Sequence, residues 1–255
     1  MNMAFFKKEI KYFFSPARIF SLPAVFVFFA ILSAPLTKYL PEIISYLAQD
    51  TLGSFQLPEI TVVDAFIQYY GNVSQTIMII ALIMFSILIS TERQNNTAEL
   101  MLTRPLTRRN FILSIFISVQ FYFSIWFTVA ALVHVVYSYM FFNTLPVNIF
   151  MSFALLWLNC TVHVSVFVFI STFFKKNIPA IVVSFISWFV LSIFSGLPKI
   201  GAFFPSAVFQ ISCGVLNEGY ALSVSTALKC ILPSALLTLG LPVLSVVVFN
   251  KEELS

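Results

Sequence analysis

Two histidines are the residues of this sequence best suited to chemistry inside an apolar protein. His134 and His163 both lie in the stretch from 111 to 174, which contains no Asp, Glu, Lys or Arg. His163 follows Asn159 by four residues, so the two side chains share one face of a helix. Such a polar pair could line the path of a transported molecule, or it could hydrogen-bond to a neighbouring helix. We take Asn159 and His163 as candidate pathway-lining residues.

Motifs of common catalytic sites are absent from the sequence. It has no G-x-x-x-x-G-K-[ST] phosphate loop, no glycine-rich dinucleotide fingerprint and no H-E-x-x-H zinc motif. The cysteines Cys160, Cys213 and Cys230 form no C-x-x-C pattern, and we expect them to be small buried apolar residues. No acid lies in the apolar spans described below, which disfavours a self-sufficient proton-coupled carrier. We therefore expect no catalytic residue, metal or cofactor in this chain.

The composition is that of an integral membrane protein. Of the 255 residues, 60% are hydrophobic and only 9% are charged, whereas about 25% of residues are charged in soluble domains. A soluble fold of this size must cover its surface with polar groups that this chain does not have. The composition excludes a soluble domain, a disordered chain and a nucleic-acid-binding protein. At roughly 20 residues per span, it leaves room for about six helices.

Charged residues divide the chain into apolar runs that are long enough to cross a bilayer, which predicts an all-α polytopic membrane protein. The predicted spans are 19–37, 72–90, 111–138, 149–173, 178–196 and 225–249. The segment 197–224 contains glycines and prolines among apolar residues. It is too interrupted for a span and too apolar for a solvated loop. We expect short re-entrant helices there, on the extracellular side, packed inside the protein.

Lysine and arginine are distributed unevenly about these spans. With the N-terminus inside, cytoplasmic segments contain eleven of the 14, and the other three are Lys38, Lys199 and Lys229. The positive-inside rule then places both termini in the cytoplasm of a multi-pass protein, for which we expect a bacterial plasma membrane.

Residues 1–18 predict an amphipathic helix at the membrane surface. Lys7, Lys8, Lys11 and Arg18 fall on one helical face, and large apolar side chains fall largely on another. Such a helix lies in the interface with its basic side toward anionic lipid headgroups. The simpler alternative is ordinary positive-inside flanking of the first span.

The segment 91–109, between the second and third spans, is dense in charge. Residues 98–102 favour a helix, and Pro105 ends it because proline disfavours helix at the residue before it. Thr107 can cap the helix of the third span. We expect a short charged helix across the base of these two spans, suited to docking in a groove of a soluble partner.

This segment resembles the permease subunit of type-2 ABC exporters. The similar residues are Glu92-Arg93, Thr97-Ala98-Glu99-Leu100-Met101-Leu102 and Arg104-Pro105-Leu106-Thr107-Arg108. Asn96 stands where family members commonly have glycine. The opening residues 6–18 and the six-span layout with cytoplasmic termini are also similar to that family.

The resemblance implies partners that the chain itself does not contain. A second permease chain, the same or related, would complete the pathway, and a separate cytoplasmic ATPase would bind ATP and Mg²⁺. That ATPase would bind the segment 91–109, the coupling helix, and also the N-terminal segment. The coupling residues implied are Glu92, Arg93, Glu99, Arg104, Pro105 and Arg108.

The cargo is expected to be hydrophobic or amphipathic, because aromatic residues are dense in the third to fifth spans and charges are few. Among similar exporters, the likeness favours peptides such as bacteriocins or phenol-soluble-modulin-like toxins. Lipid-linked glycans and drugs stay open as cargo. A different class also stays open: a non-transporting membrane protein for assembly or self-protection. Co-purification of an ATPase would separate the two classes.

Overall fold

The protein is helical throughout the part that the structure describes. This computed structural model describes residues 3–15, 21–47, 59–95, 107–194, 197, 201–220 and 222–251. No strand occurs within those ranges. The helices are α1 (Met3–Phe13), α2 (Leu22–Leu47), α3 (Val62–Asn72), α4 (Met78–Phe85), α5 (Leu88–Gln94), α6 (Arg108–Phe142), α7 (Ile149–Ser171), α8 (Asn177–Phe194), α9 (Ser206–Gly214) and α10 (Val224–Lys251).

Six helices in the described ranges are long and apolar enough to cross a membrane, which confirms the predicted all-α membrane fold. They are α2, the second-span helix formed by α3 to α5 (Val62–Gln94), α6, α7, α8 and α10. The helices of the last three spans begin and end within two residues of the predicted bounds.

The first two spans belong to helices that run past the predicted bounds. The first helix continues to Leu47 instead of ending near residue 37, and the second begins at Val62 instead of residue 72. Charge marks where a chain leaves the hydrocarbon layer, whereas a helix ends where its backbone is capped. Here Thr61 and Asp64 form a capping box, in which the Asp64 carboxylate accepts from the Thr61 N–H at 2.8 Å.

The N-terminal helix α1 packs against the bundle. Its Phe5 ring lies 5.4 Å from the Phe111 ring, and its Phe13 ring lies 5.3 Å from the Tyr122 ring, so α1 follows about three turns of α6. Phe5, Glu9 and Phe13 form its buried face. The basic side chains of Lys7, Lys8 and Lys11 are exposed, as the amphipathic pattern predicts, and Arg18 lies outside the described residues. The interfacial position of the helix stays a prediction.

The main core is an aromatic-rich cluster shared by α1, α2, the second-span helix, α6 and α7. Helix α7 lies at the centre of this core, because 67% of the residues in its most apolar 18-residue stretch are buried. The corresponding fractions are 11% for α8 and 17% for α10. Long apolar faces of the fifth and sixth spans are therefore left for lipid or for another chain.

The segment between the fifth and sixth spans contains short helices, as predicted. A 3₁₀ turn at Gly201–Phe203 precedes α9, whose residues Val208 and Ile211 pack with Leu155 of α7. Two hydrogen bonds add to this packing: the Ser152 hydroxyl donates to the Ser212 carbonyl, and the Asn148 amide donates to the Val215 carbonyl. This packing meets the requirement for irregular backbone at membrane depth. The extracellular, re-entrant position stays a prediction.

Candidate functional site

A cavity of about 400 Å³ lies between the second, fourth and fifth spans and α9. Both members of the predicted polar pair, Asn159 and His163, line it. Five of the other ten wall residues are apolar or aromatic and come from three other elements, and the remaining five are serines and glutamines. The apolar and aromatic residues are Met78, Trp188, Phe189, Ile193 and Phe209.

Helix α7 places the polar pair near the middle of the bundle. At 1.5 Å per residue, Asn159 lies about 15 Å from the start of α7 at Ile149 and about 18 Å from its end at Ser171. Across the cavity, the second-span helix widens into a π-helical turn at Val73–Ile77. Single π turns are frequent at functional sites. Here the turn supplies Ser74 to the cavity wall.

Three buried polar atoms of this wall have no hydrogen-bond partner among the residues that the structure describes: Ser74 Oγ, Asn159 Oδ1 and His163 Nε2. The other ring nitrogen, His163 Nδ1, lies 2.8 Å from the carbonyl of Asn159. A carbonyl can only accept, so Nδ1 carries the proton and Nε2 is left as an acceptor in the neutral ring. The sequence analysis did not predict Ser74 as a cavity residue. The polar residues from 72 to 76, within an otherwise apolar span, could have indicated it.

The second histidine occupies a closed site in the core. The His134 ring stacks on Tyr69 at 4.2 Å between ring centroids, and its Nδ1 donates to the carbonyl of Ala30 at 3.1 Å. Its Nε2 lies 3.3 Å from the Ser138 hydroxyl. Because its ring stacks on Tyr69 and both ring nitrogens have partners, His134 joins the first, second and third spans.

The end of the second-span helix differs from the sequence prediction in one respect. Glu92 and Arg93 were assigned to a separate coupling helix beginning at residue 91, but they belong to α5, the end of the second-span helix. Helical hydrogen bonding continues there, since the Thr91 N–H donates to the Ile87 carbonyl at 2.8 Å. Glu99, Arg104 and Pro105 lie outside the described residues.

Thr107 caps α6, as the sequence predicts. Its hydroxyl accepts a hydrogen bond from the Asn110 N–H at 3.3 Å, which satisfies one of the free donors at the start of the helix.

Two predicted coupling arginines contact helix ends of their own chain. Arg93 donates to the Thr172 carbonyl at 2.6 Å, at the end of α7. Arg108 donates to the carbonyls of Phe249 and Asn250 at 3.3 and 3.1 Å, in the last turn of α10. The last carbonyls of a helix lack intrahelical donors and carry partial negative charge, so cations stabilise them. A third coupling residue, Glu92, pairs with Lys8 of α1 at 3.6 Å.

These contacts form a charged network that involves residues on both sides of the segment 96–106 in the sequence. We use this name for Lys8, Glu92, Arg93 and Arg108 with the helix ends that they contact. The residues that flank the segment are thereby joined to α1, α7 and α10. Local sequence reasoning could not find these contacts, because their partners lie 79 to 142 positions away.

Comparison with known proteins gives one family. A family model described as ABC-2 family transporter protein matches residues 19–191. A search of curated proteins finds none that matches. The matched region begins just before α2 and ends within α8, so it contains the first four spans and most of the fifth. It includes Asn159, His163 and the predicted coupling residues. Because the match covers more than half of the 255 residues, this chain belongs to the ABC-2 transporter family, as a multi-pass membrane component.

Proposed function

We propose that this chain is the permease subunit of an ATP-driven exporter, energised by a separate ATPase through the segment 91–109. Family membership supports an ABC ATPase as the partner. The missing phosphate-binding loop agrees with ATP and Mg²⁺ being bound by that partner. The observation that carries the proposal is the charged network, which joins both flanks of the coupling segment to helix ends.

The network suggests how movement would pass from the ATPase to the cavity. A displaced coupling segment would carry Arg93 and Arg108 with it, and each arginine holds the end of another helix. Thr172, the partner of Arg93, lies nine residues beyond His163, which is about 14 Å along α7. A packed helix moves as a stiff element, so a shift at Thr172 would reach the polar pair.

We infer a hydrophobic or amphipathic cargo, with a peptide favoured and a lipid-linked glycan or a drug as alternatives. The cavity wall supports this, because its described side chains are apolar, aromatic or neutral polar. A second permease chain, the same or related, would cover exposed apolar faces such as those of α8 and α10. The cargo would leave a bacterial cell through its plasma membrane.

Purification of the chain from its native membrane in mild detergent tests the proposal. Mass spectrometry should find a stoichiometric cytoplasmic ATPase that carries a phosphate-binding loop. In the complex, Arg93→Leu should lower cargo-stimulated ATP hydrolysis about tenfold, as expected when a charge-assisted hydrogen bond is lost. Lys176→Leu is the matched control, because it removes an exposed cation at the same end of the bundle. A preparation without any nucleotide-binding partner would contradict the proposal and favour a non-transporting protein.

A further inference from the structure

The cavity wall contains polar atoms that the fold leaves unused. Asn159 and His163 are each 3% exposed, yet Asn159 Oδ1 and His163 Nε2 have no partner among the described residues. Burying an acceptor without a donor is unfavourable, so buried polar groups are normally paired by protein or water. Two unpaired acceptors one helical turn apart belong to residues that line one cavity together with Ser74, so a donor brought by an occupant would pair them.

Some buried polar groups that join helices of this bundle are paired. Ser152 has one proton, which it donates to the Ser212 carbonyl, so the neighbouring Tyr70 hydroxyl must donate to Ser152 Oγ at 2.8 Å. Both ring nitrogens of His134 are also bonded. Eight buried polar atoms elsewhere have no partner among the described residues, and the cavity is a separate case because three such atoms belong to residues of its one wall.

The acceptors restrict the chemistry of an occupant. Asn159 Oδ1 and His163 Nε2 both receive hydrogen bonds, so the occupant must present donors. The described wall residues include no Asp or Glu that could balance a cation, and a buried unpaired charge is strongly unfavourable. The donors should therefore be neutral. Trp188 and Phe209 supply an apolar surface beside them for the rest of the molecule.

We propose that this cavity binds a neutral, mainly apolar ligand whose hydroxyl or amide N–H groups donate to Asn159 Oδ1 and His163 Nε2. The proposal rests on the proposed function in one respect, since it identifies the ligand with the cargo. It names the part of the cargo that is recognised: neutral donors on an apolar body.

Trp188 in the wall gives a direct measurement of binding. The full-length chain is placed in lipid nanodiscs with Trp126→Phe and Trp157→Phe, which leaves Trp188 as the single tryptophan. The probe is N-acetyl-dileucine amide, and the matched probe is its fully N-methylated analogue, which has the same apolar groups without donors. We expect saturable Trp188 fluorescence changes, with affinity about tenfold lower for the N-methylated probe.

Variants assign that difference to named atoms. Asn159→Leu keeps the side-chain shape and removes the acceptor Oδ1, and His163→Phe removes the acceptor Nε2. Each variant should reduce the difference in affinity between the two probes. Ser187→Ala on the same helix as Trp188 should retain it, because Ser187 is not among the residues of the cavity wall and its hydroxyl donates to the Ser184 carbonyl at 2.8 Å. Equal affinities for both probes, or no saturable binding, in the single-tryptophan chain without cavity substitutions would overturn the inference. Misfolding of a cavity variant could not explain that result, because no wall residue has been changed.

This experiment needs no ATPase, so its outcome is separate from that of the purification. Donor-dependent binding by a chain that lacks an ATPase partner would support the proposed binding site and contradict the exporter proposal. A stoichiometric ATPase without donor-dependent binding would support the exporter proposal and contradict the proposed binding site.

Discussion

His134 and His163 are two histidines of one apolar bundle whose surroundings differ. His134 contacts three spans, stacks on Tyr69 and has partners at both ring nitrogens. Among the described residues, His163 is bonded only within its own helix, and it is one of the residues that line a cavity. Each ring is almost completely buried. His134 is thus a polar group that stabilises the packing of helices, whereas His163 keeps one ring nitrogen that no described residue pairs.

Removing the His134 ring should give the largest effect. His134→Ala loses the stack on Tyr69 and leaves the Ala30 carbonyl without its side-chain donor, so we expect about 3 kcal/mol less unfolding free energy. Unfolding in mixed micelles of increasing denaturing detergent measures it. His163→Ala should cost about 1 kcal/mol or less, because it removes an intrahelical bond beside an existing cavity. Equal losses in both variants would remove the distinction between the two sites.

Two adjacent tyrosines sharpen the comparison. Tyr70→Phe should cost about 1 kcal/mol, because it breaks the hydrogen-bonded chain through Ser152 to α9. Tyr69→Phe should be nearly neutral, because the Tyr69 hydroxyl is buried without a partner and the ring keeps its stack on His134. The same detergent titration compares the two variants. A greater loss for Tyr69→Phe would mean that the Tyr69 hydroxyl has a partner in solution.

The smallest effect is expected at Ser138. Ser138→Ala removes the partner of His134 Nε2 at 3.3 Å and should cost about 0.5 kcal/mol. Ser118→Ala on the same helix is the control, since that buried hydroxyl has no partner among the described residues and its removal should not destabilise. If both variants are neutral, the Ser138 contact adds nothing to the His134 site.

The sequence predicted the elements better than the contacts between them. Six spans, the Thr107 cap and the shared face of Asn159 and His163 follow from local patterns, and the structure contains all three. Arg93 stands in the segment that the resemblance assigns to ATPase coupling, and local patterns did not predict that its guanidinium contacts the end of α7. Charge density shows that a segment is at the membrane surface, and it does not show which group each charge meets.

By itself, the sequence determined that this protein is an all-helical membrane protein whose apolar spans carry few charges, because hydropathy and helix caps depend on neighbouring residues. It also placed the polar pair on one helical face. Only the tertiary structure decided which histidine is fully paired, because the partner of His134 lies 104 positions away in the first span. The cavity is likewise tertiary, since segments of the second, fourth and fifth spans and α9 must pack together to form its wall.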